Sequence, residues 1–387
     1  MQRGTPTEVF LAFLGLGLTS FGGPVAHLGY FRTEFVERRR WLDDAAYADL
    51  VALCQFLPGP ASSQVGIAIG KLRAGYWGAI AAFVAFTAPS VILLLAFAFG
   101  ATRLAGPLAD GALHGLKLAA LAVVAQAVWA MSRSLTPDWR RRLLALAAAA
   151  IVLLLPGALV QLGIIALAAL AGYLLAPRSG APKFRPDHTG LAFLVAFAVL
   201  LVALPLLSLT GNGAAVIAEK FYRTGSLVFG GGHVVLPLLE AELVPGGLID
   251  RNLFLAGYGA AQAVPGPLFS FAAYTGALLN IQPNGLLGAL LALGAIYLPS
   301  FLLVFGTLPY WQVLRAETRL RGGLDLANAA VVGLLLATLY DPVFLTSVRG
   351  PLDLAWASAA FALLMLRTPP WIVVIASAAL GLLLSAT

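Results

Sequence analysis

Two long stretches of this chain carry no charged residue, and they decide the environment in which it can fold. Residues 76–100 and 285–309 are uncharged throughout, and a helix needs roughly 20 apolar residues to cross the hydrocarbon core of a bilayer. Of all 387 residues, 60% are hydrophobic and 11% are charged, whereas soluble proteins carry about 25% charged residues. So little polar surface excludes a soluble fold and a disordered chain. The sequence therefore predicts an all-α integral membrane protein whose main partner is the lipid bilayer.

Further apolar segments predict a multi-pass protein with roughly 11–13 transmembrane segments. The polar loops between the segments are all short, so no domain outside the membrane is expected. Pro156-Gly157 divides one long segment into a helical hairpin because proline interrupts a helix. Besides the two stretches above, the candidate spans are 7–30, 108–132, the two halves of 143–176, 189–209, 213–238, 324–340, 353–366 and 370–386.

The chain contains one set of landmarks twice, in the same order, and this points to an internal duplication. The second set follows the first by between 207 and 210 positions. Residues 1–176 and 213–387 are therefore predicted to be homologous halves, and residues 177–212 a linker with one extra span. The matching landmarks are Phe21-Gly22-Gly23 with Phe229-Gly230-Gly231, Asp43 with Asp250, Gln55 with Gln262, Pro58-Gly59-Pro60 with Pro265-Gly266-Pro267, and Pro89-Ser90 with Pro299-Ser300.

Each half contains an apolar segment that is interrupted by Pro-Gly-Pro. The arms on either side are too short to cross a membrane alone, and the prolines stop a regular helix. We expect a broken helix or hairpin at residues 45–74 and another at residues 252–280. Paired broken helices in two repeats are the best sequence indication of a transporter's binding site.

The number of crossings bears on whether the halves are parallel or inverted. If each broken helix crosses once, the second half is upside down. The basic loops 133–142, 177–188 and 315–325 then share the cytoplasmic side, as the positive-inside rule requires. Loop 31–44, which is also basic, then lies on the outer side and conflicts with the rule. If the broken helices are re-entrant, loop 31–44 joins the cytoplasmic side and the arginines of 315–321 leave it. We favour the inverted, antiparallel arrangement.

The motifs of both halves resemble those of the chromate ion transporter family in its long, two-domain form. They run from Ser20-Phe21-Gly22-Gly23-Pro24 through Gln55-Phe56-Leu57-Pro58-Gly59-Pro60, and from Phe229-Gly230-Gly231-Gly232-His233 through Gln262-Ala263-Val264-Pro265-Gly266-Pro267. The resemblance implies a multi-pass protein of the inner (plasma) membrane with antiparallel halves. It also implies that the protein expels chromate, with sulfate as a competitor of nearly the same shape.

A tetrahedral dianion inside the membrane requires several converging donors, since burying an unpaired charge is very costly. Helix N-termini after Pro60 and Pro267 offer N–H groups and a positive dipole end, and nearby hydroxyl, amide and imidazole groups add donors. A purely structural role is the alternative for each motif: Pro-Gly-Pro as a helix kink, Phe-Gly-Gly as a surface for close helix packing, and the histidines as hydrogen-bonded structural residues. The predicted substrate-binding residues are Phe21, Gly22, Gly23, His27, Gln55, Gly59, Ser62, Ser63, Phe229, Gly230, Gly231, His233, Gln262, Gly266 and Ser270.

Two further expectations concern the first half. Arg32 and Arg39 are candidates for an electrostatic funnel that attracts the anion, although such arginines also serve as interfacial anchors. We also expect substitutions at Gly59 to be more harmful than those at Gly266, because the run Ser62-Ser63-Gln64 is the more polar one.

The remaining patterns exclude several classes of protein. No metal-ligand cluster, phosphate-binding loop or recognisable catalytic set is present, so we expect no cofactor, no metal and no enzyme activity. The surplus of Lys and Arg (24 against 17 acids) fits cytoplasmic loops, so no nucleic-acid partner is expected. The leading hypothesis is a secondary exporter of chromate that works by alternating access and is driven by the membrane potential, with proton coupling left open. A sulfate-like oxyanion carrier and an anion channel are the alternatives, and a homodimer is also left open.

Overall fold

The computed structural model describes residues 4–101, 106–177, 187–311, 314 and 317–386. Every regular element in these ranges is helical, as predicted for an all-α protein. Six of the described helices are long and apolar enough to cross a membrane, and three further apolar helices are shorter. The predicted linker span is one of the six, and only 6% of its most apolar window is buried, as expected for a helix that faces lipid.

The helices are numbered in chain order, the first half ending with α7 and the linker forming α8. A π-helical turn extends both α2 and α14, and a 3₁₀ turn precedes both α10 and α12. The helices are α1 Pro6–Thr19, α2 Gly23–Arg32, α3 Asp44–Phe56, α4 Ala61–Ala101, α5 Pro107–Leu135, α6 Trp139–Leu154, α7 Ala158–Leu175, α8 His188–Ser208, α9 Gly213–Leu227, α10 Val235–Leu243, α11 Arg251–Ala261, α12 Phe271–Ala277, α13 Gly285–Thr307, α14 Thr318–Thr338, α15 Pro351–Met365 and α16 Pro370–Ala386.

Helix α4 is two antiparallel arms rather than one rod. Ala74 and Gly75 leave the helical conformation, and Gly75 has a φ of 69°. A Cβ built on Gly70 would lie 2.4 Å from the carbonyl oxygen of Gly78, whereas eight residues of a straight helix span about 12 Å. The chain therefore folds back at Gly75, and only the second arm of α4 continues through the bundle.

The first half begins with two helical hairpins that enter the bundle from the same end. The amide of Gly4, before α1, donates to the carbonyl oxygen of Arg73 at 3.0 Å. The guanidinium of Arg73 lies 4.8 Å from the ring of Trp41, which separates α2 from α3. Hence the start of α1, the connection between α2 and α3, and the end of the first arm of α4 meet at one end. The hairpins α1–α2 and α3–α4 thus both return to the end from which they start.

The second half repeats this arrangement with the hairpins α9–α10 and α11–α12. A Cβ on Gly213, the first residue of α9, would lie 1.9 Å from the carbonyl oxygen of Gln282, which follows α12. The amide of Asn280 donates to the carbonyl oxygen of Leu248, between α10 and α11, at 2.8 Å. These two hairpins also start and finish at one common end.

We call the end of the bundle near Trp41 and Arg73 the basic end, and the other the opposite end. Lys71 lies 5.5 Å from the ring of Phe305 near the end of α13, and α13 starts beside the second-half hairpins. Long helices therefore join the two ends. The described cations at the basic end are Arg32, Arg38–Arg40, Lys71, Arg73, Arg133, Arg140–Arg142, Arg319 and Arg321, and those at the opposite end are Lys117, Lys220, Arg223, Arg251 and Arg349. Arg367, between α15 and α16, is assigned to neither end.

These hairpins correct the crossing count made from the sequence. The sequence predicts one span in each of the segments 7–30 and 213–238, but Phe-Gly-Gly breaks each of them into a hairpin. Loop 31–44 therefore lies at the same end as the arginines of 133–142 and 319–321, and the conflict disappears. Residues 178–186 of loop 177–188, and Arg315, lie outside the described residues.

Candidate functional site

The tips of the four hairpins meet in the middle of the bundle and are joined across the two halves. The amide of Gly59 donates to the carbonyl oxygen of Val228 at 2.7 Å, and the amide of Gly266 donates to that of Ser20 at 2.8 Å. Each bond joins a Pro-Gly-Pro turn of one half to the Phe-Gly-Gly turn of the other half. Gly59 and Gly266 have φ values of 122° and 99°, a conformation that favours glycine.

Each Pro-Gly-Pro tip also rests against the Pro-Ser step of the long helix from the other half. The Ser90 hydroxyl lies 2.6 Å from that of Ser270. The Gln64 amide donates to the Ser300 hydroxyl at 3.4 Å and to the carbonyl oxygen of Pro58 at 2.6 Å. These contacts explain why the Pro-Ser landmark occurs in both halves.

A cavity of about 70 Å³ lies among these tips. A single water needs only ~10–15 Å³, so the cavity can hold a small polyatomic ion. None of the lining side chains that the structure describes is Asp, Glu, Lys or Arg, so an anion there would be held by neutral groups. The lining residues are Gly22, Gly23, Pro24, Val123, Gln126, His233, Ala261, Gln262, Val264, Gly266, Leu268 and Pro370.

The structure brings five of the predicted binding residues to this cavity, namely Gly22, Gly23, His233, Gln262 and Gly266. The Nε2 atom of Gln262 is buried without a hydrogen-bond partner, which is costly unless a ligand or water accepts from it. The N-terminus of α2 also begins at the cavity, with Gly22 as its cap. The first amides of a helix have no acceptor within it, so this end adds donors and a positive dipole.

Other predicted residues support the hairpin tips without lining the cavity. His27 is buried, with Nε2 3.2 Å from the carbonyl oxygen of Ser20 and Nδ1 3.4 Å from the Ser62 hydroxyl. The same carbonyl oxygen of Ser20 accepts from the amide of Gly266. His27 therefore stabilises the contact between the halves, which is the structural alternative for this histidine. The ring centroid of Phe21 lies 6.1 Å from that of Trp371. The other predicted residues that are not among the lining residues of the cavity are Gly59, Ser63, Phe229, Gly230, Gly231 and Ser270.

Gln55 does not reach the site, although its repeat partner Gln262 does. The Gln55 side chain is exposed on the outer arm of its hairpin.

The two arginines proposed as an anion funnel form ion pairs with carboxylates. Arg32 donates to Asp44 at 2.7 Å, and Arg39 donates to Glu34 at 2.6 Å. Each of the two arginines is thus paired with a carboxylate, and Arg39 shares Glu34 with Arg38.

Sequence reasoning missed Gln126 and Tyr258. Gln126 lines the cavity and donates to the carbonyl oxygen of Leu364 at 3.1 Å. It is a polar residue within the predicted span 108–132, a position where polar groups are often functional, and that signal was available. Tyr258 is fully buried, and its hydroxyl lies 2.9 Å from Nδ1 of His233. Nothing in the spacing of the sequence indicated this pair.

Comparisons with known proteins agree with the duplicated architecture. The chromate transporter family model matches residues 7–176 and 215–382. A chromate transport protein of Pseudomonas aeruginosa is 27% identical over 89% of this chain and 82% of its own length. A probable chromate transport protein of Synechococcus elongatus is 28% identical over 86% of each chain, and a chromate transport protein of Cupriavidus metallidurans is 27% identical over 85% and 80%. No solved structure matches the chain. Since the family model covers most of both halves, this multi-pass membrane protein belongs to the chromate transporter family.

Proposed function

We propose that the protein is a secondary transporter that exports chromate across the plasma membrane by alternating access. The observation that carries this proposal is the uncharged cavity among the crossed hairpin tips, with the unpaired amide of Gln262 on its wall. Neutral donors can hold a dianion without a countercharge that would trap it. The substrate itself is suggested by the family and by the names of the relatives.

We propose further that the halves are inverted, with the basic end in the cytoplasm. The first-half hairpins start at the basic end and the second-half hairpins start at the opposite end, which supports an antiparallel relation. The excess of Lys and Arg at the basic end fits the positive-inside rule. Loop 31–44 shares that end, so its arginines do not oppose this orientation.

Alternating access requires contacts that can open in turn on the two sides of a fixed site. The bonds of Gly59 to Val228 and of Gly266 to Ser20 are suited to this role. They are single main-chain bonds between opposed hairpins, each worth only about 0.5–1.5 kcal/mol. Separating one hairpin from its partner tip would open the cavity toward one end while the other contact keeps it closed.

The membrane potential alone can drive export of a dianion. Moving one charge through 100 mV is worth about 2.3 kcal/mol, so a dianion that leaves an inside-negative cell gains roughly 4.6 kcal/mol. This corresponds to an approximately 2,000-fold gradient. The described cavity wall contains no Asp, Glu, Lys or Arg, and His233 is its titratable side chain. A wall without a carboxylate favours export without obligatory proton coupling.

Flux into and out of proteoliposomes tests the proposal. With labelled chromate and the potential set by valinomycin, we expect efflux from the compartment made negative, and little change when a pH gradient is added. Substrate on the far side should accelerate flux by exchange, as in a carrier.

Three outcomes would contradict parts of this proposal. Flux that ignores substrate on the far side would indicate a channel. Flux that follows only the pH gradient would indicate an electroneutral proton antiporter. Transport of labelled sulfate with no transport of chromate would indicate a sulfate-like oxyanion carrier.

A further inference from the structure

We propose that Tyr258 is a positioning residue that fixes the tautomer of His233, so that the imidazole presents an Nε2–H donor to the anion in the cavity. This inference rests on the proposed function and adds a residue and a proton position to it. It depends on a buried hydroxyl, one hydrogen bond and the place of the ring in the cavity wall.

The Tyr258 hydroxyl has one described partner, Nδ1 of His233, at 2.9 Å. Tyr258 is fully buried, and its ring packs 5.7 Å from that of Phe271, edge to face. The hydroxyl is therefore held in place and excluded from the surface. A buried hydroxyl whose proton finds no acceptor costs about 1–3 kcal/mol.

This cost decides between the two neutral tautomers. If Nδ1 carried the proton, it would donate to the tyrosine oxygen, and the Tyr258 proton would have no acceptor among the described residues. If Nδ1 is unprotonated, it accepts the Tyr258 proton, and both groups are satisfied. A neutral imidazole carries one proton, so that proton then lies on Nε2.

The Nε2 atom is free to act because His233 lines the cavity. No described residue forms a hydrogen bond with Nε2, and the ring is only partly buried. Gln262, which has its own unpaired amide, lines the same wall. The two side chains therefore supply neutral N–H donors to one small cavity, and no described lining residue offers a competing charge.

The pair belongs to the second half alone. The positions that correspond to His233 and Tyr258 in the first half are Val25 and Val51. The duplication therefore does not account for the pair, which is a specific feature of the second half.

The direct test is nitrogen-15 NMR of the histidine-labelled protein in lipid nanodiscs, with the His233→Gln variant used to assign the resonance. We expect the wild-type His233 to show a protonated Nε2 and an unprotonated Nδ1. In Tyr258→Phe the two tautomers should mix. A protonated Nδ1 in the wild-type protein would overturn the inference, whether or not chromate is transported.

Two substitutions at His233 test whether the Nε2 donor is used. The side-chain nitrogen of glutamine replaces Nε2, and that of asparagine replaces Nδ1. We expect His233→Gln to keep KM for chromate within about threefold of the wild-type value, and His233→Asn to raise it roughly tenfold, a difference in line with one hydrogen bond. Equal KM values for the two variants would overturn the donor role.

Tyr274→Phe is the matched control for Tyr258→Phe. Tyr274 is also fully buried, and its hydroxyl donates to the carbonyl oxygen of Leu253 at 2.8 Å, away from the cavity lining. Both variants lose one buried hydrogen bond and should lower the melting temperature alike. Only Tyr258→Phe should raise KM, by several-fold with kcat little changed. A KM that rises equally in both variants would reduce Tyr258 to a packing residue.

If the wild-type protein moves neither chromate nor sulfate, the proposed function fails. The NMR result alone then decides the tautomer of His233.

Discussion

The two Pro-Gly-Pro hairpins occupy corresponding places in the fold, but their side-chain amides differ in their hydrogen-bond partners. In the first half, the Gln64 amide is taken up by Pro58 and Ser300. In the second half, Phe271 stands at the position of Gln64, and Gln262 lines the cavity with an unpaired amide. The first hairpin thus directs its amide N–H groups to its own turn and to the other half, although Oε1 of Gln64 is itself buried without a partner. The second hairpin directs an unpaired amide N–H group toward the cavity. The cavity wall therefore draws on both repeats, but its unpaired side-chain amide comes from the second repeat alone.

The largest contrast is expected at the two tip glycines. A Cβ at Gly59 would lie 2.5 Å from Nε2 of Gln64 and 2.7 Å from the Ser300 hydroxyl, whereas at Gly266 it would lie 3.1 Å from the Ser90 hydroxyl. Both positions also disfavour a side chain by about 1–2 kcal/mol because φ is positive. Gly59→Ala should therefore lower the melting temperature and the amount of folded protein.

Gly266→Ala should abolish most transport, by roughly tenfold or more, while the protein stays better folded than Gly59→Ala, because the new methyl group alters the cavity wall. Thermal unfolding in detergent and chromate flux, measured on both variants, separate the two effects. Normal flux in Gly266→Ala would remove the second tip from the site. The earlier expectation, that Gly59 is the more sensitive position for transport, relied on the polarity of Ser62-Ser63-Gln64, and the geometry favours the reverse.

The two repeat-related glutamines sharpen the comparison. Gln262→Leu removes an amide from the cavity, and a hydrogen bond to a charged group is worth about 1.5–3 kcal/mol. We expect KM for chromate to rise about tenfold or more. Gln55→Leu is the matched control, since Gln55 is exposed, and its kinetics should remain close to those of the wild type. Equal losses in the two variants would mean that the halves contribute equally to binding.

The smallest effect is expected at the first-half arginines. Arg39 is paired with Glu34, so Arg39→Gln should change the initial rate of uptake into inverted vesicles by less than about twofold, with little dependence on salt. Arg32→Gln should behave in the same way because of Asp44. A large loss of rate that disappears at high salt would restore the funnel hypothesis.

Much of the scaffold could be predicted from the sequence. The hydropathy of 76–100 and 285–309 indicated long helices, the duplicated landmarks indicated two halves, and Pro-Gly-Pro indicated the breaks. The route of the chain after a break could not be predicted, since a broken helix and a re-entrant hairpin have the same apolar composition. The turn at Gly75 decides between them. Gly75 and the preceding cations Lys71 and Arg73 indicated an end of the apolar segment, but not the direction of the chain after it.

The site was less predictable than the scaffold. Gly22, Gly23, His233, Gln262 and Gly266 reach the cavity, and each belongs to a repeated or family motif. The sequence could not reveal which member of a repeated pair faces the cavity, because Gln55 and Gln262 have the same local context. That difference arises from packing between the halves, as does the contact of Tyr258 with His233.

The central claim is that paired hairpins enter the bundle from opposite ends and meet at the cavity. Cysteine labelling tests it most directly, in a Cys54→Ser background that removes the native thiol. Arg38→Cys and Gly246→Cys occupy corresponding exposed loops of the two halves, and Arg140→Cys marks the basic end. With a membrane-impermeant reagent, positions 38 and 140 should react only from the cytoplasmic side and position 246 only from outside. Reaction of positions 38 and 246 from the same side would contradict the opposed hairpins and with them the proposed route of the anion.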